Sequence, residues 1–170
     1  PQENAQKYFA KYNKQKRTFE ALSELIQETA DEIRYLESVS NSLDIALSEA
    51  DLGQIKEELT ASGYVRRKFT KKKVKLTNKP MHYISSDGYD IYVGKNNIQN
   101  DELTFSFANG GDWWFHAKGA PGSHVIVKTN GDELPDRTFE EAGRLAAYYS
   151  KTRGSEKVEI DYMDKKHVKK

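Results

Sequence analysis

The chain of 170 residues contains no cysteine, which excludes disulfide staples and thiolate metal sites and fits a reducing compartment. It has 4 prolines, none of them between residues 2 and 79, so nothing forces a break in that stretch. No apolar run approaches the ~20 residues of a membrane-spanning helix. No charged-then-apolar leader opens the sequence, so a cytoplasmic protein is expected, with the cell surface as the alternative. HExxH and GxxxxGK are both missing, so the expectation is no bound metal, no cofactor and no phosphate loop. Hydrophobic residues make up only 36% against 31% charged, too polar an average for one compact core. A small domain with a long exposed extension accounts for this balance.

Charge is present but segregated. Residues 1–62 hold 7 basic and 12 acidic side chains, a balance of −5, and residues 63–170 hold 20 and 14, a balance of +6. This sets a domain boundary at 62/63. The first part carries Tyr8, Tyr12, Gln15, Phe19, Leu22, Ile26, Thr29, Ile33, Leu36, Ser40, Leu43 and Leu47 in alternating steps of four and three, the seam of a coiled coil. Neither proline nor glycine interrupts residues 3–52, and a rod of roughly 70 Å follows. Such a seam needs a partner of its own length, which this chain does not contain. The missing upstream arm of a helical hairpin would supply it, or self-association through the seam. Residues 51–63 can form a short returning helix with Asp51 as its N-cap.

After Gly63 the period changes to two. HYIS (82–85), YDIYVG (89–94), LTFSF (103–107), WWFHAK (113–118), SHVIVK (123–128) and KVEIDYM (157–163) read as strands separated by Ser-Asp-Gly, Asn-Asn, Asn-Gly-Gly and Pro-Gly turns. Residues 137–153 read as a helix with Phe139, Ala142, Leu145, Ala146 and Tyr149 on one side. The fold class is therefore α+β: a long N-terminal coiled-coil helix, then a small, mostly antiparallel sheet covered by a helix and truncated at its C-terminal end.

Three stretches carry candidate chemistry. RRKFTKKKVKLTNK (66–79) has eight cations and no anion, including Arg66, Arg67, Lys68, Lys71, Lys72, Lys73 and Lys75. It is either a solvated strand or linker, or the electrostatic approach of an anionic partner. In DWWFHAK and SHVIVK, alternation sends Trp113, Phe115 and Ala117 to one face and Trp114, His116 and Lys118 to the other, where His124 and Lys128 would join them. An aromatic and basic sheet face suits single-stranded or looped RNA. The plainer alternative makes both histidines satisfied structural groups. A metal site of His116, His124 and Asp112 or Asp101, serving a small hydrolase, is a further alternative, while Ser123 beside His124 makes no triad. In GKNNIQN (94–100), Lys95, Asn96 and Asn100 either contact ribose or phosphate or serve local turn chemistry.

Taken in order, DGYDIYVGKNNIQNDELTF, DWWFHAKGAPGSHVIVK, EEAGRLAAYYSK and VEIDYMDKKHVKK resemble the NFACT-R domain of the NFACT family. ENAQKYFAKYNKQK and EIRYLESV resemble the end of that family's coiled-coil middle region. The resemblance implies a ribosome-associated quality control factor that binds obstructed large ribosomal subunits and recruits alanyl-tRNA for C-terminal alanine tailing. Its partners would be the large subunit and tRNA. The peptidyl transfer is ribosomal RNA chemistry, so no catalytic residue is expected here. The nucleic-acid contacts it implies are Lys95, Asn96, Asn100, His116, Lys118, His124 and Lys128, with Arg66 to Lys75 as the approach. A fibronectin-binding surface adhesin is the alternative that the same resemblance carries.

Overall fold

The structure is a computed structural model and describes residues 2–66 and 78–169; Arg67, Lys68, Lys71, Lys72, Lys73 and Lys75 lie outside them. Helix α1 spans Gln2–Ile45, and at 1.5 Å per residue its 44 residues reach about 66 Å. Its apolar stripe, from Tyr8 and Tyr12 through Phe19, Ile26 and Ile33 to Leu36, is exposed to solvent. The chain divides into two compact units, Pro1–Leu36 and Glu37–Lys170. The second therefore takes in the end of α1 and all of α2, which the change of period at residue 63 assigns to the arm.

The uninterrupted heptad overstates α1 by one seam position. Leu47 lies beyond its end, is exposed, and leads into α2, Glu49–Ala61. Ser48 caps α2, accepting from the Asp51 backbone N–H at 3.2 Å. Asp51, expected at the cap, sits three residues later and accepts from the Ser48 hydroxyl at 2.9 Å and the Leu47 N–H at 3.0 Å. A variant of the capping box accounts for the shift: Ser48 takes the Asp51 N–H, and the Asp51 carboxylate reaches back to the Ser48 hydroxyl and to the N–H of the residue before the cap.

Five antiparallel strands follow: β1 Met81–Ile84, β2 Asp90–Val93, β3 Trp113–Ala117, β4 Val125–Val127 and β5 Ile160–Asp164, in spatial order β1-β2-β4-β3-β5. Gly88, at φ +86°, closes the β1–β2 hairpin in the left-handed region that favours glycine. The register places Met81, Val93, Val125, Phe115 and Tyr162 in one row and Tyr83, Ile91, Val127 and Trp113 in the next. Helix α4, Asp136–Tyr148, covers this face, with Ala142 and Ala146 fully buried so that its backbone approaches the sheet closely. Burial of Phe115, Ile91, Val93, Val125 and Val127 contributes about 1.5–3 kcal/mol each and makes this the main core.

LTFSF is not a strand. Helix α3, Asn97–Glu102, runs directly into a π-helical turn, Leu103–Phe107, closed by Ala108 N–H donating to the Leu103 carbonyl at 2.9 Å. Leu103 and Thr104 are both buried, a pair of neighbours that a strand would send to opposite faces. The segment lies on the second face of the sheet, packing Leu103 and Ala108 on Ile126, Tyr92 and Trp114. Helix α4 also ends before the expected residue 153, at Tyr148, and β5 begins at Ile160 rather than Lys157.

Candidate nucleic-acid interface

The second face of the sheet is built by register. His82 pairs with Tyr92, Tyr92 with Ile126, Ile126 with Trp114 and Trp114 with Met163; His116 pairs with Asp161. Trp113 thus faces α4 while Trp114 joins the histidines. The Trp114 and His116 rings stack at 5.7 Å and 24°, and His124 meets both edge-on, at 5.2 Å from Trp114 and 5.3 Å from His116.

Both imidazoles are held neutral. Burial lowers His116, against the opposing pull of the Gly122 carbonyl and the Asp161 charge. Burial, and then the neighbouring His116, lower His124 to about 4, with the Asn100 backbone opposing. His124 Nδ1 lies 2.8 Å from the Thr104 hydroxyl of the π-helical turn. The pair offers neutral, hydrogen-bonding aromatic edges at neutral pH rather than cations. Among the described residues, no three metal-ligating side chains converge. Asp112 is buried and committed to Lys128 and to the Asn109 and Asn130 backbone N–H groups.

The GKNNIQN loop is turned inward. Asn96 is 1% and Asn100 6% exposed. Asn96 Nδ2 donates to Gln54 Oε1 at 2.9 Å, and its Oδ1 caps α3 through the Gln99 N–H. Gln99 Nε2 donates to the same Gln54 oxygen at 2.8 Å. Asn97 Nδ2 donates to Ser38 Oγ at 2.8 Å and Glu58 Oε1 at 2.7 Å. Asn100 Oδ1 accepts from the His124 N–H at 2.9 Å, and its amide donates to the Gly122 carbonyl. Gly94 is required here, because a Cβ at that position would lie 2.1 Å from Asn100 Oδ1. Lys95 sits 3.1 Å from Asp51 Oδ1 with its side chain 13% exposed. The loop is a polar clamp that holds α2 and the end of α1 against the sheet, with each buried amide satisfied as burial demands.

Lys95, Asn96 and Asn100 therefore serve the fold rather than present themselves to a ligand. Lys128 does likewise, its side chain 15% exposed, paired with Asp112 and placed 5.0 Å over the Phe107 ring. His116 and His124 are partly buried beside Trp114. Lys118 is exposed, with an ion pair to Glu159 at 3.3 Å. Arg66 is exposed as well. The residue-level reading singled out Asp51 only as a helix cap, and did not single out His82, Tyr92, Phe107 or Gln54. Alternation within HYIS and YDIYVG leaves the pairing of the two strands open, and Asn78, the distal hydrogen-bond donor to Asp51, and Asn96 and Gln99, those to Gln54, lie 27 to 45 positions away in sequence.

Residues 1–78 match the profile of the NFACT N-terminal and middle domains, and residues 79–170 that of the NFACT protein RNA binding domain. The chain is 46% identical over its full length to the Rqc2 homolog RqcH of Streptococcus suis and 42% identical to that of Bacillus subtilis. It spans about 30% of the length of each. The human ribosome quality control complex subunit NEMF is 37% identical over 46% of this chain and 7% of its own. The solved C-terminal structure of the fibronectin/fibrinogen-binding protein from Streptococcus suis superposes with a TM-score of 0.88 at 46% identity, covering 98% of this chain and 67% of that one.

Proposed function

The chain belongs to the NFACT family, with residues 79–170 as its RNA binding domain, and from that premise we propose that it is the RNA- and ribosome-binding part of a ribosome-associated quality control factor. In this reading the intact factor engages large ribosomal subunits that carry an obstructed nascent chain. It recruits alanyl-tRNA there for template-free C-terminal alanine tailing. Ribosomal RNA performs the peptidyl transfer, so this chain acts in the cytoplasm by binding, without a catalytic residue, metal or cofactor. The observation that carries the reading is the identity of 42–46% across the whole chain with proteins named RqcH. The run of eight cations at residues 66–79 supports it as an electrostatic approach, and Lys118 as an exposed cation beside the aromatic face. The exposed stripe of α1 is the surface that a second helical arm, or a second copy of the chain, would cover.

The test is binding of the chain to purified large ribosomal subunits across a salt titration. Saturable binding is expected, weakening by nearly one log-log unit for each phosphate neutralised, about 0.9 on duplex and 0.7 on single strands. Combined Lys71→Glu, Lys72→Glu and Lys73→Glu should lower both affinity and slope. A folded chain that does not bind at low salt refutes the reading. The fibronectin/fibrinogen-binding protein of Streptococcus suis, by its name, favours a second one, adhesion to fibronectin. Saturable capture on immobilised fibronectin that ignores the three lysine reversals would select it.

A further inference from the structure

Across β1, β2 and the π-helical turn runs an aromatic column that, among the described residues, ends at His82. Tyr92 on β2 meets Phe107 of the π-helical turn edge-on at 4.7 Å, and Lys128 Nζ lies 5.0 Å from the Phe107 ring centre. On its other side Tyr92 carries the His82 ring, stacked at 4.7 Å and only 16° from parallel. His82 belongs to β1, which among the described residues pairs with β2 alone. Its Nε2 lies 2.6 Å from Asp90 Oδ1. An ionised carboxylate only accepts, so the imidazole N–H donates, and the bond fixes the plane of the ring. Nothing among the described residues continues the stack. His82 is 45% exposed in its side chain, Phe107 44% exposed overall, and Ile84, two residues along β1 on the face of His82, 69%.

We propose that this column is a stacking platform for an unpaired RNA base, which lies on the outer face of His82 against Ile84. The proposal rests on the RNA-binding reading and names where in the sheet an unpaired nucleotide is taken. Three features favour that occupant. The exposed end is a flat ring held in a fixed plane, which suits the face of any base and needs no concave groove. The basic run at 66–79 continues in sequence into β1 through exposed Lys79 and half-buried Pro80, so its eight cations are tethered to the strand that carries His82. A polyanion is the partner whose charge complements that run. The site also differs from the Trp114, His116 and His124 cluster, which lies across the π-helical turn on the same face.

The experiment uses the chain with a single-stranded RNA of about twelve nucleotides carrying one central 2-aminopurine, and with the same strand in a duplex. Stacking quenches 2-aminopurine emission, so the quench reports the platform, and a salt titration reports the phosphate contacts. The expected result is a quench with the single strand and little with the duplex. His82→Ala should then abolish the quench and weaken binding about five- to hundredfold, the range that loss of one stacked base gives. Ile84→Glu, at an exposed position that leaves the core untouched, should weaken binding by placing a carboxylate beside the base. The salt slope should stay as in the parent after His82→Ala. Single-stranded binding with full affinity and unchanged quench in both variants overturns the platform while the RNA-binding reading stands. No binding of either RNA at low salt by the folded chain overturns both.

Discussion

Replacing Lys95 by methionine keeps the aliphatic stem and removes only the charge that faces Asp51. Asp51 is 1% exposed, and Lys95 Nζ lies 3.1 Å from its Oδ1. Burial pushes this carboxyl up, but hydrogen bonds from Asn78, the Leu47 backbone, Lys95 and Ser48 outweigh it and hold it at about 2. Removing one member of a buried pair costs about 3–5 kcal/mol when the other is left unmatched. Three of the four donors survive the substitution, so the cost falls below that range, at about 2–3 kcal/mol. At about 3 °C per kcal/mol for a unit of this size, Tm should fall by roughly 6–9 °C. Urea unfolding at neutral pH, followed by circular dichroism and tryptophan fluorescence, measures the change. With Asp51→Asn added, the double variant should be less destabilised than the sum of the singles, by a coupling of about 1–3 kcal/mol. Lowered from 3.8 in the folded state, Asp51 contributes stability that is present above about pH 4 and lost as pH falls toward 2. A Lys95→Met protein within about 0.5 kcal/mol of the parent, additive with Asp51→Asn, would refute the clamp.

Gly94→Ala should destabilise by about 1–3 kcal/mol, because its Cβ displaces the Asn100 amide that ties α3 to β4; chemical denaturation reads the loss, and an unchanged midpoint would contradict the close approach. His124, lowered from 6.5 to about 4, binds its proton more readily in the unfolded chain. Its contribution of about 3 kcal/mol is therefore complete above pH 6.5, declines as pH falls to about 4 and is flat below, and His124→Gln should remove that slope from a stability-against-pH curve. Phe115→Ala should cost about 3–5 kcal/mol by opening a cavity among Ile91, Val125 and Val127, measured by the urea midpoint.

Periodicity exposed most of the architecture. The steps of four and three along residues 8–43 mark α1, and alternation in WWFHA and HYI assigns Phe115 and Tyr83 to the covered face and His116 and His82 to the other. Where the pattern misled, a local interaction overrode it. LTFSF carries the β-favouring composition of a strand, but it continues from a helix capped by Asn96 and closes one wide turn. Asp51 carries the composition of a cap, but Ser48 occupies the cap and uses Asp51 as its return partner. The polar loop at 94–100 looks like an exposed binding loop because asparagine, lysine and glutamine are ordinarily solvated. Here Gln54, Glu58, Ser38 and Asp51 bury it from a distance that no local window spans.

Order along the chain, the type of every helix and strand except LTFSF, facing of alternate side chains and segregation of charge were determined by the sequence alone, because each depends on neighbours within a few residues. Which polar groups are spent on the fold was decided only by the tertiary structure. Asn96 and Lys95 are absorbed by α2, some forty positions upstream, whereas His82 keeps an exposed side chain because β1 is an edge strand among the described residues. A buried amide is stable only with its partner in place, and chain topology, not composition, brings that partner within hydrogen-bonding distance.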